Sequence, residues 1–283
     1  MTMNKTLLAI ASALALSVLP QLASAQTAAP PAAPAAAPAA PEAASPLSFN
    51  IGLISEYRYR GISQTRFKPA VQGGADYAFA SGFYVGTWLS NIKWIKDAGE
   101  IAGTDVGSAN VEWDLYGGYK GEIAKDFTYD VGVLQYYYPG NHYANIAGAK
   151  NANTTEIYGA LTYGPATVKY SHSVTSLFGF GDSKNSGYLE AAATFDLGNG
   201  FGITPHVGYQ RVAGSVGGVS NRSLYSYTDY SLTGAKDFGN GLTATLALVG
   251  TSTKSVPGSY AYVSPDGKNL GRTTAVLGVK YTF

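Results

Sequence analysis

The sequence contains no cysteine and little charge. Only 13% of its 283 residues are charged, about half of the share usual in soluble domains. Without cysteine, a disulfide framework and a thiolate metal site are excluded. The net charge of +1 offers no electrostatic footprint for nucleic acid. The mean hydropathy of −0.01 argues against both a multi-span helical membrane protein and a disordered chain.

Glycine and tyrosine are abundant instead, with 35 and 22 copies. Glycine serves turns and close backbone approaches, and tyrosine favours strands and membrane interfaces. Together with the low charge, this composition indicates many β-strands that have one apolar and one wet face.

The chain begins like an exported protein. A basic start at residues 1–5 precedes an apolar stretch at 7–19, and Ala23-Ser24-Ala25 offers the small residues of a cleavage site. We therefore predict a signal peptide over residues 1–25. An N-terminal membrane anchor is the alternative, but the apolar stretch is shorter than the roughly 20 residues that a spanning helix needs.

The next segment, residues 26–46, consists almost entirely of alanine and proline. Proline removes backbone donors and favours extended polyproline II, so we predict a disordered, semi-rigid spacer. It serves either as a tether towards peptidoglycan or as an unstructured leader. Residues 47–283 are predicted to form the folded domain.

From residue 47 onward the hydropathy alternates with period two. Leu47, Phe49, Ile51 and Leu53 share one parity, and no window shows a convincing helical period. The same alternation marks the last residues of the chain, from about 274 to 283, and ten stretches between the two. These are about 69–79, 83–92, 109–120, 127–138, 154–163, 166–175, 186–195, 201–211, 225–235 and 241–251.

The predicted connections alternate between short turns rich in glycine, asparagine or aspartate and longer polar loops. Short turns at one end and long loops at the other, with an even strand count, are typical of outer-membrane barrels. We therefore predict an all-β fold: a transmembrane up-and-down antiparallel β-barrel of about 12 strands, with short periplasmic turns and longer extracellular loops. A soluble β-sandwich is the alternative, but it has no reason to sort its loops by length.

Charged residues of the predicted strands take the parity opposite to the apolar set. Facing them inward avoids a cost of about 2–4 kcal/mol for each Lys or Arg at the bilayer midplane. The predicted pore-lining residues are Glu56, Arg58, Arg60, Asp76, Glu112, Asp114, Lys120, Asp130, Glu156, Lys169, Glu190, Asp229 and Lys280. Eight acids and five bases predict at most a weak cation preference. The alternative is that these charges form a salt-bridged plug that closes a narrow barrel.

Two further features bear on assembly and chemistry. The aromatic residues Tyr281 and Phe283 have the apolar parity of the last strand and resemble the signal read by the barrel-assembly machinery. Ser171-His172-Ser173 is the nearest approach to the His and Ser of outer-membrane phospholipases, but nothing marks an oxyanion hole. We therefore expect no enzymatic activity, no catalytic residues, no metal and no cofactor.

Four segments carry a resemblance to a known family. They are SEYRYRGISQT (55–65), PAVQGGADY (69–77), SGFYVGTWLSNI (81–92) and EWDLYGGY (112–119). Over these segments, and more loosely to residue 283, the chain resembles the TorF family, a conserved proteobacterial family of porin-like outer-membrane proteins. The resemblance implies a porin-like role, and it supplies no substrate and no catalytic residue.

The first of these segments also suggests a site. Arg58 and Arg60 precede the first long loop and Asp76 lies on the returning strand, so we predict that either arginine pairs with Asp76, with Gln64 and Gln72 as amide partners. Such a pair would form either a constriction at the pore mouth or a lock that only shapes the rim.

The leading hypothesis is an outer-membrane channel for passive diffusion of small hydrophilic solutes or ions. Its predicted partners are outer-membrane lipid, the barrel-assembly machinery and the solutes themselves, and nucleic acid is not among them. The alternative is a structural or adhesive barrel with a plugged lumen that acts through its extracellular loops.

Overall fold

The computed structural model describes residues 46–283, which form a closed, nearly all-β barrel of 12 antiparallel strands. The strands are β1 (Leu47–Ile54), β2 (Ala70–Ala78), β3 (Phe83–Asn91), β4 (Val111–Ala124), β5 (Phe127–Tyr137), β6 (Thr154–Tyr163), β7 (Ala166–Ser173), β8 (Gly187–Ala193, continued by Phe195–Gly198), β9 (Phe201–Arg211), β10 (Tyr227–Asp237), β11 (Leu242–Thr251) and β12 (Thr274–Thr282). The prediction of an up-and-down barrel of about 12 strands is confirmed.

The barrel closes between its first and last strands. Asn50 of β1 lies opposite Thr282 of β12, and Ile54 lies opposite Gly278. Every other strand within residues 46–283 pairs with its neighbours in sequence, so the barrel formed by these residues has no open edge strand. A closed barrel pairs the backbone N–H and C=O groups of every strand, as a structure built from strands must do to span a membrane.

The connections differ in length between the two ends, as predicted. At the short-turn end, single turns such as the one at residues 164–165 join the strands, whereas segments such as 92–110 and 252–273 join them at the long-loop end. Within residues 46–283, no helix is both long and apolar enough to cross a membrane. The predicted signal peptide (1–25) and, apart from Pro46, the predicted spacer (26–46) lie outside the described residues.

The outer wall carries an apolar belt between two aromatic rings. Leucine, valine and isoleucine side chains on outward positions are exposed, and some, such as Leu246 and Leu277, are more than half exposed. Tyrosine, tryptophan and phenylalanine flank them near both strand ends. At the long-loop end this ring contains Trp113, Tyr137, Tyr170, Tyr209 and Tyr230. An apolar band between aromatic girdles is the surface that suits a bilayer and its two interfaces.

One element departs from the sequence prediction. Residues Trp94–Ala102, within a predicted loop, form the helix α1. It is only nine residues long and buries Trp94, Ile95 and Ala98, a pattern too short to stand out in a window of 11–18 residues. Gly103 ends it with a φ of 62° and a backbone N–H bond to the Glu100 carbonyl, the left-handed termination that glycine favours.

The largest buried core does not lie in the middle of the barrel wall. It lies at the long-loop end, where the loops fold over and into the lumen, and we call it the loop cluster. Its fully buried large side chains are Tyr59, Ile62, Trp94, Tyr136, Tyr138, Tyr143, Phe178, Phe180, Tyr227 and Tyr262. Most of these rings meet edge to face, for example Trp94 with Tyr138 at 5.1 Å between centroids, a geometry that adds stability beyond buried area.

Candidate functional site

The inner wall is the candidate functional site. Ten of the predicted pore-lining residues lie on strands, at positions facing the lumen: Asp76, Glu112, Asp114, Lys120, Asp130, Glu156, Lys169, Glu190, Asp229 and Lys280. The other three, Glu56, Arg58 and Arg60, lie in the segment that follows β1. Lys120 is the most exposed of those in ion pairs, with 46% of its side chain accessible. That these residues line a conducting pore remains a prediction.

The segment after β1, residues 55–68, turns into the lumen; we call it the inward segment. Two-residue strands, Arg58–Tyr59 and Ile62–Ser63, pair within it around Arg60 and Gly61. Gly61 has a φ of 80°, and a side chain there would place its Cβ 2.9 Å from Cβ of Asp229 on β10. The tip therefore requires glycine, both for its backbone conformation and for its approach to the wall.

Arg60 fixes the inward segment to two strands on the far side of the lumen. Its guanidinium contacts both carboxylate oxygens of Glu156 on β6, at 2.7 and 3.1 Å, and donates to Oε1 of Gln210 on β9 at 2.6 Å. The same group lies over the ring of Tyr188 at 4.2 Å and near that of Tyr59 at 4.8 Å. Arg60 and Glu156 each have only 2% of their side chain exposed.

The predicted pairing of Arg58 or Arg60 with Asp76 is wrong. Arg58 pairs with Glu56 at 2.7 Å and donates to the Gly61 carbonyl. Asp76 instead accepts from the Tyr116 hydroxyl at 2.6 Å. The reason is position along the strand: Asp76 lies opposite Ser48, close to the short turn, while the inward segment crosses the lumen at the other end.

A second network surrounds His206 on β9. Its Nε2 lies 3.1 Å from Oε2 of Glu190, and its Nδ1 lies 3.6 Å from Oδ1 of Asp229. The Tyr188 hydroxyl donates to Asp229 at 3.0 Å, and Lys169 lies in register with Glu190. One imidazole between two carboxylates holds β8, β9 and β10 together on the lumen side.

Nearer the short turns, tyrosines and charges interleave. The Tyr84 hydroxyl donates to Oδ1 of Asp130 at 2.6 Å and contacts the Tyr158 hydroxyl. Lys169 lies 4.4 Å from the Tyr158 ring centre, and Nζ of Lys120 lies 3.7 Å from Oδ2 of Asp130. This half of the lumen therefore contains hydrogen-bond donors and acceptors together with side chains of both positive and negative charge, held in place by these contacts.

Acidic side chains concentrate on β4, beneath the loop cluster. Glu112 accepts from the hydroxyls of Tyr57 at 2.9 Å and Tyr138 at 3.1 Å. Asp114 is fully buried, and neither of its carboxylate oxygens has a hydrogen-bond partner among the described residues. Within residues 46–283, no group of three or more His, Asp or Glu side chains is arranged to hold a metal ion.

Sequence reasoning missed several lumen residues. His206 and Gln210 have the same parity as Thr204 and Gly208 and the opposite parity to the outward Val207 and Tyr209. The alternation rule that placed the charged residues would have placed these two inward as well, had it been applied to uncharged polar side chains. The buried tyrosines of the inward segment gave no comparable signal, because a loop has no fixed parity.

Two other predicted features lie on the outer wall. Tyr281 and Phe283 face outward, and Phe283 stacks on Phe49 of β1 at 5.7 Å between centroids while exchanging two backbone hydrogen bonds with it. These contacts help to close the barrel, and recognition by the assembly machinery remains a prediction. His172 also takes an outward position, 3.2 Å from Oδ1 of Asn185.

Several solved structures are similar to this barrel. The KdgM porin is 8% identical, covering 83% of this chain and 99% of its own, with a TM-score of 0.49. The NanC porin is 9% identical, covering 84% and 98%, with a TM-score of 0.49. OprD, an outer membrane protein from Pseudomonas aeruginosa, is 13% identical, covering 84% and 66%, with a TM-score of 0.39. Likeness at these low scores supports no inference about solutes or sites.

Sequence comparison gives the family. No curated protein matches the chain. The profile of a bacterial protein family of unknown function, Gcw_chp, matches residues 38–283. This match includes the whole barrel, from β1 to β12. The chain therefore belongs to the Gcw_chp family.

Proposed function

We propose that the protein is a porin-like channel of the bacterial outer membrane, which lets small hydrophilic solutes or ions diffuse passively. The observation that carries the proposal is that the two faces of the barrel wall differ in polarity. Ten strand-borne charges face the lumen, while the outer wall is an apolar belt between aromatic rings. Such a wall is compatible with lipid outside and with water inside.

The channel we propose is narrow and closed at one end by its own chain. Twelve strands form a bore between that of filled eight-stranded barrels and that of aqueous porins. The inward segment and the loop cluster occupy the long-loop end of this bore, with Tyr59 and Gln64 fully buried. Conduction therefore requires the inward segment to move, so we expect rare or small openings in place of a permanently wide pore.

Eight of the thirteen candidate lining residues are acidic, and the basic ones are largely engaged. Arg60 pairs with Glu156, and Arg58 pairs with Glu56. Within residues 46–283, Glu112 and Asp114 on β4 have no basic partner of this kind. On this basis we propose a weak preference for cations.

A second candidate function is a structural or adhesive barrel that acts through its extracellular loops. The observation that favours it is the loop cluster, because well-packed aromatic rings and buried ion pairs resist displacement. The two candidates differ in whether the closed end can open.

Planar-bilayer recording of the purified full-length protein tests both. We expect small stepwise conductance with a reversal potential that indicates weak cation preference. A matched variant, Arg60→Gln together with Glu156→Gln, removes the charges that hold the inward segment and should conduct more often. If the wild type and this variant both leave the bilayer sealed while remaining folded, the channel proposal is wrong and the plugged barrel is favoured.

Other parts of the proposal concern export and identity. Residues 1–25 would direct export and residues 26–46 would form the spacer, with the barrel at 47–283. The TorF resemblance remains a prediction alongside the family assignment. The proposed partners are outer-membrane lipid, the barrel-assembly machinery, for which Tyr281 and Phe283 are the candidate signal, and the permeating solutes. We propose no enzymatic role and no cofactor.

A further inference from the structure

A cavity of about 440 Å³ opens on the outer wall at the long-loop end. Its lining includes two cations and several hydroxyl groups. Its lining includes Tyr209, Arg222, Ser223, Thr228, Ser252 and Lys254. None of its lining residues in the described chain is acidic. We call it the rim pocket.

The floor of the rim pocket belongs to the lipid-facing wall. Tyr209 on β9 lies opposite Thr228 on β10. On the other side of Thr228, the Ser252 N–H donates to the Thr228 carbonyl, and the Thr228 N–H donates to the Ser252 hydroxyl. Two residues further from the rim along each strand, outward Val207 lies opposite Tyr230. Both side chains are nearly half exposed. The pocket therefore begins where the apolar belt ends, at the level of the aromatic ring that marks a membrane interface.

The roof of the pocket comes from two different loops. Residues 220–226, which include the short helix α2 (Asn221–Tyr225), supply Arg222 and Ser223, and the loop after β11 supplies Lys254. Nζ of Lys254 donates to the Ser223 carbonyl at 2.5 Å, which ties the loops together. The pocket is thus bounded by three parts of the chain and does not depend on one exposed side chain.

The charge of the pocket is not neutralised by the chain. Among the described residues, Arg222 forms neither an ion pair nor a side-chain hydrogen bond, and Lys254 bonds only to a neutral carbonyl. Two cations beside serine and threonine hydroxyls suit an anionic group that also accepts and donates hydrogen bonds. Phosphate with an adjoining sugar has that chemistry.

We propose that the rim pocket binds the phosphorylated sugar headgroup of a lipid in the membrane leaflet at the long-loop end. The volume lies in the range of small-molecule sites, roughly 300–1,000 Å³, and exceeds what a lone phosphate needs. The position favours a lipid over a soluble anion, because acyl chains below such a headgroup would lie against Val207 and Tyr230. This inference requires a membrane location and does not require the barrel to conduct.

Native mass spectrometry of the purified full-length protein tests the proposal. The probe is lipid A, a glucosamine disaccharide lipid that carries phosphate, compared with its dephosphorylated form. Arg222→Gln combined with Lys254→Gln should weaken lipid A binding by about tenfold or more, since both charge-assisted contacts to the phosphate are lost. Lys96→Gln with Lys150→Gln removes the same charge from exposed positions elsewhere and should leave binding unchanged.

Two results would overturn the proposal. One is equal binding of lipid A by the wild type and the Arg222/Lys254 variant. The other is full competition by millimolar inorganic phosphate, which would indicate a site for soluble anions. Bilayer conductance, recorded on the same variants, should not change, because the pocket lies outside the lumen. A failure of the channel proposal is therefore distinguishable from a failure of this one.

Discussion

The Arg60 guanidinium and the Glu156 carboxylate form a bidentate ion pair inside the barrel, with N–O distances of 2.7 and 3.1 Å. Arg60 belongs to a segment that leaves the wall after β1, and Glu156 belongs to β6, five strands further around a ring of twelve. The pair therefore fastens a loop across the lumen. A movement that opens the long-loop end must therefore either break this ion pair or move Arg60 and Glu156 together.

Removing one partner of this pair should destabilise the barrel and loosen the inward segment. Glu156→Gln leaves the buried Arg60 without its counter-charge, and we expect the free energy of unfolding to fall by about 3–5 kcal/mol. Urea unfolding of the protein in lipid vesicles measures this loss. The Arg60→Gln, Glu156→Gln double variant should recover part of it, because no buried charge is then left alone. Additive losses in the double variant would show that the two residues act independently.

Gly61 should tolerate no side chain. An alanine there would adopt a φ near 80° and bring its Cβ 2.9 Å from Cβ of Asp229. Left-handed backbone at a non-glycine residue costs about 1–3 kcal/mol before any clash is counted. We expect Gly61→Ala to displace the inward segment and raise the frequency of channel openings in planar bilayers. Gly218→Ala, at another positive φ but with open space around it, is the control for backbone strain alone and should leave gating unchanged.

Asp114 should be a position where the native side chain lowers stability. Its two carboxylate oxygens are buried and have no hydrogen-bond partner among residues 46–283, with Glu112 two residues before it on the same face. Leaving a buried polar group unsatisfied costs about 1–3 kcal/mol, and more when it is charged. Asp114→Asn keeps a buried polar side chain but removes the buried charge next to Glu112, so it should raise the free energy of unfolding and weaken cation preference. The control is Asp130→Asn, which removes a carboxylate bonded to Tyr84 and should destabilise the barrel.

The barrel could be predicted from sequence because period-two alternation and loop length are local signals. The 12 strands, their inward charges and the end that carries the long loops all follow from those two patterns. The pairing of Arg60 with Glu156 could not be predicted, because it depends on the inward segment crossing the lumen to a residue 96 positions away. Helix α1 was missed for the opposite reason, since its nine residues are too few to establish a period.

The loop cluster should open at alkaline pH, and Tyr225 should contribute. Burial raises the pKa of this phenol from 10.0 to about 12. The folded state therefore favours the neutral, protonated phenol. Its contribution to the free energy of unfolding is fully present below pH 10.0 and is lost as the pH rises towards 12. Absorbance titration of ionising tyrosine should show one fewer late-titrating phenol in Tyr225→Phe. Tyr163→Phe removes an exposed phenol from the outer wall at the short-turn end and serves as the matched control.

A charge on the apolar belt should cost far more than the same charge one residue away. Leu246 faces outward midway along β11, with 54% of its surface exposed to what we propose is lipid. Leu246→Lys should lower the free energy of unfolding in vesicles by about 2–4 kcal/mol, the cost of lysine near the bilayer midplane. Thr245→Lys adds the same charge on the lumen side, where Thr245 lies opposite Gly278, and should cost much less. Equal losses would contradict a membrane-spanning wall, since a barrel in water would accept lysine more readily on its outer face than on its inner one.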